Sequence, residues 1–187
     1  MSERLDEWAT EPSTLIELLR WRALHQPDRR AYTFLVDGET EKAHLTYSEL
    51  DRQARAIAAL LQSLGAAGQR ALLLYPPGLE FIAAFFGCLY SGAIAVPVYP
   101  PDPVLLDRMR RRLQAIAHDA QPAMALTTSP LLSTVDQLFE QQTDFDNMLR
   151  LDTDNLVIDG ANEWRDPAAP RRGSLIVQNS TIGGGGL

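Results

Sequence analysis

Cysteine is almost absent from this chain. Its single thiol, Cys88, cannot close an internal disulfide within the 187 residues, which removes disulfide scaffolds and makes a reducing cytoplasm the expected compartment. Among Phe85, Phe86 and Leu89 that thiol has no neighbour favouring a thiolate, so it reads as a packed core residue rather than a nucleophile. Basic charge is also short. With 17 Lys and Arg against 24 Asp and Glu, the net charge is −7, the wrong sign for a partner built on a phosphate backbone. Nucleic acid is excluded as a main partner. The histidines His25, His44 and His118 are far apart, with no HxxxH or CxxC spacing that would suggest a metal site. GxSxG, HExxH, GxxxxGK[ST] and GxGxxG are all missing, so the residues alone offer no complete catalytic constellation and no metal ligand set. The opening MSERLDEWATEP is polar and acidic where a signal peptide needs a basic start and an apolar core. Export is not expected.

What remains is ordinary globular usage, 45% hydrophobic and 22% charged, enough for one well-buried domain. The most telling stretch is residues 75–101, YPPGLEFIAAFFGCLYSGAIAVPVYPP. From Phe81 to Pro101 no residue is charged, which is about the length of a membrane span. Internal punctuation argues against one. Gly87, Ser91 and Gly92 interrupt the run, Pro97 lies in its second half, and residues 79–90 give way to the β-branched Ile94-Ala95-Val96, a change of period that reads as helix, turn, strand. Gly92 allows a sharp exit from the helix, and Ala93 and Ala95 allow close helix-to-sheet packing. Pro97 withholds a donor from the ladder, which suits a strand end or an edge. Tyr99-Pro100-Pro101 then leaves as a stiff extended segment.

Helices and strands alternate along the rest. Ser13 and Thr14 can cap a helix carrying Leu15, Ile16, Leu18, Leu19 and Ala23, which Pro27 stops. Residues 32–36 and 44–47 flank Asp37-Gly38 as a two-stranded ribbon, with a polar loop reaching to Lys42. Leu50, Ala54, Ile57, Leu61 and Leu64 form a helical stripe followed by Gly65 as a left-handed cap. RALLLY (70–75) and AMALT (123–127) are continuous apolar runs, as strands covered on both faces require. Between them Leu105, Met109, Leu113, Ile116 and Ala120 mark another helix, and Leu131, Val135, Leu138 and Phe139 one more before the short strand MLRL (148–151). This order predicts right-handed crossovers and a three-layer, doubly wound, mostly parallel α/β sheet. The expected divisions are an N-terminal tail (1–12), the α/β subdomain (13–151), an acidic loop-rich margin (152–173), and a strand with a Gly-rich tail (174–187).

In the acidic stretch, Asp144, Asp146, Asp152, Asp154, Asp159 and Glu163 face only Arg150 and Arg165. No DxDxDG-type spacing supports a calcium or magnesium cage, so a solvated margin is the reading. Arg108, Arg110, Arg111 and Arg112 fan around one helix between apolar positions, which suits a solvated face better than a docking patch for an acidic partner. Strand ends in an α/β sheet face the crevice where ligands bind, which makes Tyr75 and Tyr99 candidates for lining a substrate groove. The commoner fate of a single tyrosine, packing as an ordinary aromatic beside a loop, stands against this reading.

LTYSEL (45–50), the amphipathic helix to Gly65, RALLLYPPGLEF and GCLYSGAIAVPVYPP together resemble the N-terminal part of the adenylate-forming superfamily, and within it the fatty acyl-AMP ligases. The paired prolines of YPPGLEF and VPVYPP resemble the long-chain fatty acyl-AMP branch, and the likeness runs in order over residues 14–132. It implies the N-terminal subdomain of an enzyme that condenses a fatty acid with ATP and Mg²⁺ to an acyl-adenylate. The acyl group then passes to the phosphopantetheine thiol of an acyl carrier protein, in lipid, polyketide or lipopeptide biosynthesis. The implied partners are the remainder of the ligase, the carrier protein and the fatty acid, with no membrane span. Most of the family's apparatus, including its metal ligand and C-terminal lysine, lies beyond the matched portion. Where the family's phosphate loop begins, this chain has SLIVQNSTIGGGGL, in which Ser180, Thr181 and Gly183 are candidates for a remnant of that loop. The Pro and Lys of the family run are missing, and four glycines read first as a flexible tail. The chain is therefore expected to be catalytically silent by itself, with no tightly bound cofactor. Two alternatives stand beside this reading: a non-catalytic interaction module for a carrier protein or partner subunit, and a small nucleotide-binding protein using its glycine run.

Overall fold

The first helix, α1 (Leu15–His25), starts where Thr14 Oγ1 accepts from the Glu17 N–H at 3.1 Å, supplying one of the orphan amides of a helix start. The computed structural model describes residues 12–98, 106–140, 145–156 and 158–167. An antiparallel ribbon follows, β1 (Arg30–Val36) against β2 (Thr40–Thr46), with Val36 paired to Thr40. Its connection is tighter than the sequence suggests. Asp37 at φ 55° and Gly38 at φ 78° both take the left-handed conformation, so the chain reverses within three residues and the polar segment to Lys42 joins the second strand. Tyr47, expected to end that strand, instead opens helix α2 (Tyr47–Ser63). Thr46 and Glu49 form a reciprocal capping box there, Glu49 N to Thr46 Oγ1 at 3.2 Å and Thr46 N to Glu49 Oε2 at 2.8 Å, and this fixes the boundary.

The remaining elements are β3 (Arg70–Leu73), α3 (Leu79–Ser91), β4 (Ile94–Pro97), α4 (Leu106–Ala120), β5 (Met124–Thr127), α5 (Ser129–Phe139), β6 (Leu149–Asp152) and a 3₁₀ turn (Ile158–Asn162). The four later strands form one parallel sheet in the order β4-β3-β5-β6. Alternate residues serve opposite faces. Ala71, Leu73, Ala95, Met124 and Leu126 pack under α2 and α3, whereas Leu72, Leu74, Val96 and Ala125 pack against α4 and α5. Helices on both faces explain why the strands read as unbroken apolar runs, and the result is the doubly wound α/β architecture that the pattern predicts. Pro97 ends β4, an edge strand among the described residues, as its missing N–H requires.

The charge-free run divides as its punctuation suggests: α3 ends at Gly92, φ 77°, and β4 follows. Among the described residues no helix is long and apolar enough to cross a membrane. Close contact between α2 and α3 depends on Gly87, where an added Cβ would stand 2.5 Å from Ile57 Cγ2 and 2.7 Å from Ile57 Cβ. After β6 the chain runs back across α2 and α3 as a strap. Arg55 Nη1 donates to the Ala161 carbonyl at 3.2 Å, and the Gln62 amide clasps the Arg165 backbone, donating to its carbonyl at 2.7 Å and accepting from its N–H at 3.1 Å. Trp164 lies against Tyr90 with ring centroids 5.2 Å apart and donates Nε1–H to the Tyr90 carbonyl at 2.9 Å, while the Arg20 guanidinium sits 4.7 Å above its ring.

Candidate functional site

The carboxyl ends of β3, β5 and β6 open onto one face, and crevices outside such ends are where open α/β sheets hold ligands. Each strand continues into a segment rich in hydroxyls or proline: Tyr75-Pro76-Pro77 after β3, Thr128 after β5, Thr153-Asp154 after β6. Tyr75, a groove candidate from the sequence, stands at this face. It is buried, with its hydroxyl 2.7 Å from Thr153 Oγ1 and its ring edge-on to Phe81. Burial pushes its phenol far above the ordinary range, so the ring is a neutral hydrogen-bonding group. Tyr99, Ser180, Thr181 and Gly183 lie outside the described residues.

Beside Thr153 the α5 N-terminus is capped from a neighbouring segment. Thr128 makes no side-chain cap; instead Asp154 Oδ1 accepts from the Ser129 N–H at 2.8 Å, placing a carboxylate at the positive end of the helix dipole. Ser129 Oγ lies 2.7 Å from Asp152 Oδ2 and 2.8 Å from Asp154 Oδ1, and accepts from Asn155 Nδ2 at 2.6 Å. No histidine approaches Ser129 in these contacts, so nothing there would raise its nucleophilicity.

Two cavities meet at this face. One, about 210 Å³, lies between α2 and α3 and is lined by Gln53, Ile57, Glu80, Thr153, Asp154 and Leu156, among others. The other, about 340 Å³, extends past Pro76-Pro77 and Pro130 to Phe34 and Lys42 of the ribbon. Glu80 and Asp154 line both. Among the described residues lining the two, Lys42 is the only cation. Opposed carboxylates with a single lysine do not form a phosphate cradle, which needs cations or converging N–H groups. Nor do they form a metal cage: among the described residues no three His, Cys, Asp or Glu converge.

A buried polar centre supports the helices next to the crevice, and only its Asp51–Arg55 pair, four residues apart, has a local signal in the sequence. Asp51, 7% exposed, accepts from the Tyr90 hydroxyl at 2.9 Å through Oδ1 and from Arg55 Nε at 2.9 Å through Oδ2. Burial, then the Asp51 charge, raises the Tyr90 phenol well above its usual range. Cys88 is wholly buried and its thiol is pushed up to about 12 by burial, which agrees with its reading as an inert core residue. His25 stacks on Trp21 and His44 contacts Glu41 at 3.0 Å, both on the surface. Arg110 reaches the Gln137 carbonyl at 3.1 Å, so one member of the arginine cluster ties α4 to α5.

Comparison with known proteins places these features in context. Residues 19–178 match a family described as AMP-binding enzyme. The chain is 46% identical over 158 residues to the medium-chain-fatty-acid–[acyl-carrier-protein] ligase JamA of Moorena producens, a match covering 84% of this chain and 27% of that protein. It is 38% identical over 136 residues to 4-hydroxyphenylalkanoate adenylyltransferase of Mycobacterium marinum, covering 70% of this chain and 21% of that one. The crystal structure of the fatty acyl-adenylate ligase from L. pneumophila, in complex with acyl adenylate and pyrophosphate, superposes with a TM-score of 0.66 at 35% identity, over 83% of this chain and 26% of that one. The chain thus spans about a quarter of the length of these relatives.

Proposed function

The chain belongs to the AMP-binding enzyme family, and we propose that it is the forward α/β part of a fatty acyl-AMP ligase. In the reaction we assign, a fatty acid carboxylate oxygen attacks the α-phosphorus of ATP, the bond to the β-phosphate breaks, and pyrophosphate leaves. The carrier-protein thiol then attacks the acyl carbonyl, loses its proton and displaces AMP. The observation carrying this reading is the 46% identity with the fatty-acid–carrier-protein ligase over most of this chain.

On this reading the described residues act as scaffold. Thr153 and the α2–α3 wall line the crevice, with Tyr75 buried behind them and its hydroxyl on Thr153, while Glu80 and Asp154 make its rim acidic. An acidic rim repels a triphosphate, so the donors that hold it come from outside the described residues, Ser180, Thr181 and Gly183 being this chain's own candidates. Mg²⁺ would neutralise phosphate charge in the complete enzyme. Asp152 and Asp154 are already engaged by Ser129, and the described residues do not fit a resident ion. We assign residues 13–151 to the subdomain proper, 152–173 to the acidic margin and 174–187 to a strand with its glycine run.

The ribbon favours a part of a larger enzyme over a closed interaction module. It leaves Tyr32 41%, Leu35 42% and Val36 38% exposed, apolar area on a two-stranded ribbon that is marginal in water without cover. Two assays test the proposal. Purified chain given ATP, Mg²⁺ and a medium-chain fatty acid should release no pyrophosphate above blank, and a chimera carrying this chain's residues 14–177 in the Moorena ligase should form acyl-adenylate. Pyrophosphate from the chain alone would overturn its silence. A folded chimera without activity would overturn the assignment.

A further inference from the structure

We infer that a groove on the α1 flank binds a small apolar carboxylate, a monocarboxylate whose body is about the size of one phenyl ring. It shares no lining residue with the two cavities of the crevice. The groove, about 180 Å³, lies where α1 meets the ribbon, the start of α2 and the middle of α3. Its back wall belongs to the core, since Leu19, Leu50 and Phe86 are buried. Leu15, which also lines it, is half exposed, so the groove opens to solvent. An apolar cavity of about 150 Å³ admits benzene. This one therefore takes a ring, or an aliphatic chain of similar bulk.

Helix periodicity places a charge beside that wall. Leu15, Leu18, Leu19 and Arg22 fall at i, i+3, i+4 and i+7, the stripe that a helix turns toward a core, and Arg22 takes the place of the last apolar residue. Its guanidinium is already ordered. Nη1 donates to Gln26 Oε1 at 2.7 Å, and the group lies 5.5 Å from the Trp21 ring centroid and 5.8 Å from that of Tyr47. That leaves Nε and Nη2, a pair of donors whose spacing suits the two oxygens of one carboxylate.

The surroundings lack the matching anion. Among the described residues Arg22 has no ion-pair partner, and neither has Arg29, which reaches the same Gln26 oxygen at 3.3 Å. Glu17, the one carboxylate on α1, is engaged instead by the Ser13 N–H and hydroxyl. Two cations thus share one neutral acceptor in a chain whose net charge is −7. A carboxylate answers the charge, and a hydrocarbon body answers the wall. An inorganic anion would leave the wall wet, whereas a neutral hydrocarbon would leave Arg22 without a counter-charge. Because the arginine is held before the ligand arrives, little of its side-chain freedom is lost on binding. The inference rests on this groove and not on the ligase reading, so either can fail without the other.

Phenylacetate is the probe, titrated into the full chain and followed by NMR of the leucine methyls and aromatic rings. Saturable shifts are expected at Leu18, Leu50 and Phe86, with a dissociation constant of about 0.1–1 mM for a ligand of this size. Phenylacetamide, the neutral isostere, should bind at least about 10-fold more weakly, and R22Q should weaken phenylacetate by about 10-fold or more, as loss of a charge-assisted hydrogen bond requires. The amide comparison uses the unaltered chain, so it decides the matter even where R22Q fails to fold. No saturation up to roughly 10 mM, or equal binding of acid and amide, overturns the inference. So do shifts confined to Ile57, Ala83 and Leu156 of the crevice, or shifts at Leu18 and Leu50 that grow with chain concentration in the absence of ligand and mark a second copy in the groove.

Discussion

Replacing Gly87 by alanine tests whether the contact between α2 and α3 is as close as it stands. Helix propensity alone favours the substitution by about 0.5–1 kcal/mol, because glycine loses the most backbone freedom on folding. Packing opposes it. The new methyl would stand 2.5 Å from Ile57 Cγ2 and 2.7 Å from Ile57 Cβ, and a β-branched side chain buried in a helix has little rotamer freedom with which to retreat. Since the second contact is to Cβ itself, the helices must part, and overpacking of this kind costs about 1–3 kcal/mol. The net expectation is destabilisation by about 1–2 kcal/mol, a Tm lower by roughly 2–8 °C for a chain of this size. Thermal and urea unfolding followed by circular dichroism measure it. An I57A substitution should cost about 2–5 kcal/mol alone, but combined with G87A it should cost less than the sum, because the added methyl enters the space vacated. An unchanged or raised Tm for G87A, or strict additivity in the pair, would refute the reasoning.

Three further outcomes are expected. Y90F leaves Asp51 Oδ1 without its buried donor and should destabilise the chain by about 1–3 kcal/mol, read by urea unfolding, with Arg55 still holding Oδ2. T46A removes one half of the α2 capping box and should cost about 1 kcal/mol. Hydrogen bonds from the Thr46 backbone N–H and then its hydroxyl hold Glu49 below its ordinary 4.5; a depressed carboxyl contributes stability that is complete above that value and lost as pH falls through its folded value. The loss of stability on acidification should therefore be shallower in T46A, and identical acid profiles would contradict this. Cys88, raised from 9.0 to about 12, should resist thiol reagents at pH 8 until the chain unfolds, and its contribution to stability, intact below pH 9, should decline between about pH 9 and 12; rapid labelling of native protein would overturn its placement in the core.

Much of the fold was legible because its elements are specified by neighbours. Thr14 with Glu17 starts a helix across three residues, Gly92 ends one, and the runs 70–75 and 123–127 are apolar throughout because both faces of their strands are covered. The start of α2 had a local signal as well: Thr46-x-x-Glu49 is a capping box, and its two reciprocal bonds outweigh the strand propensity of Tyr47. The ribbon turn was legible as Asp37-Gly38; only its length was overestimated, since polar side chains on exposed strands resemble loop.

The contacts that build the crevice and its support are of another kind. Tyr75 meets Thr153 across 78 positions, Trp164 meets the Tyr90 carbonyl across 74, and Tyr90 meets Asp51 across 39, whereas patterns of three or four residues report only pairs such as Asp51 with Arg55. Nothing in the spacing of an isolated tyrosine distinguishes one that anchors a strap from one that packs beside a loop. Such partners become identifiable only once the crossover order is known, because that order decides which strand ends adjoin. The order in turn follows from the alternation of helices and strands. A sequence of this class therefore discloses its sheet before its site, and the acidic margin, read as solvated surface, supplies Thr153 and Asp154 to the crevice and Trp164 to the strap because β6 returns its chain over the α2–α3 face.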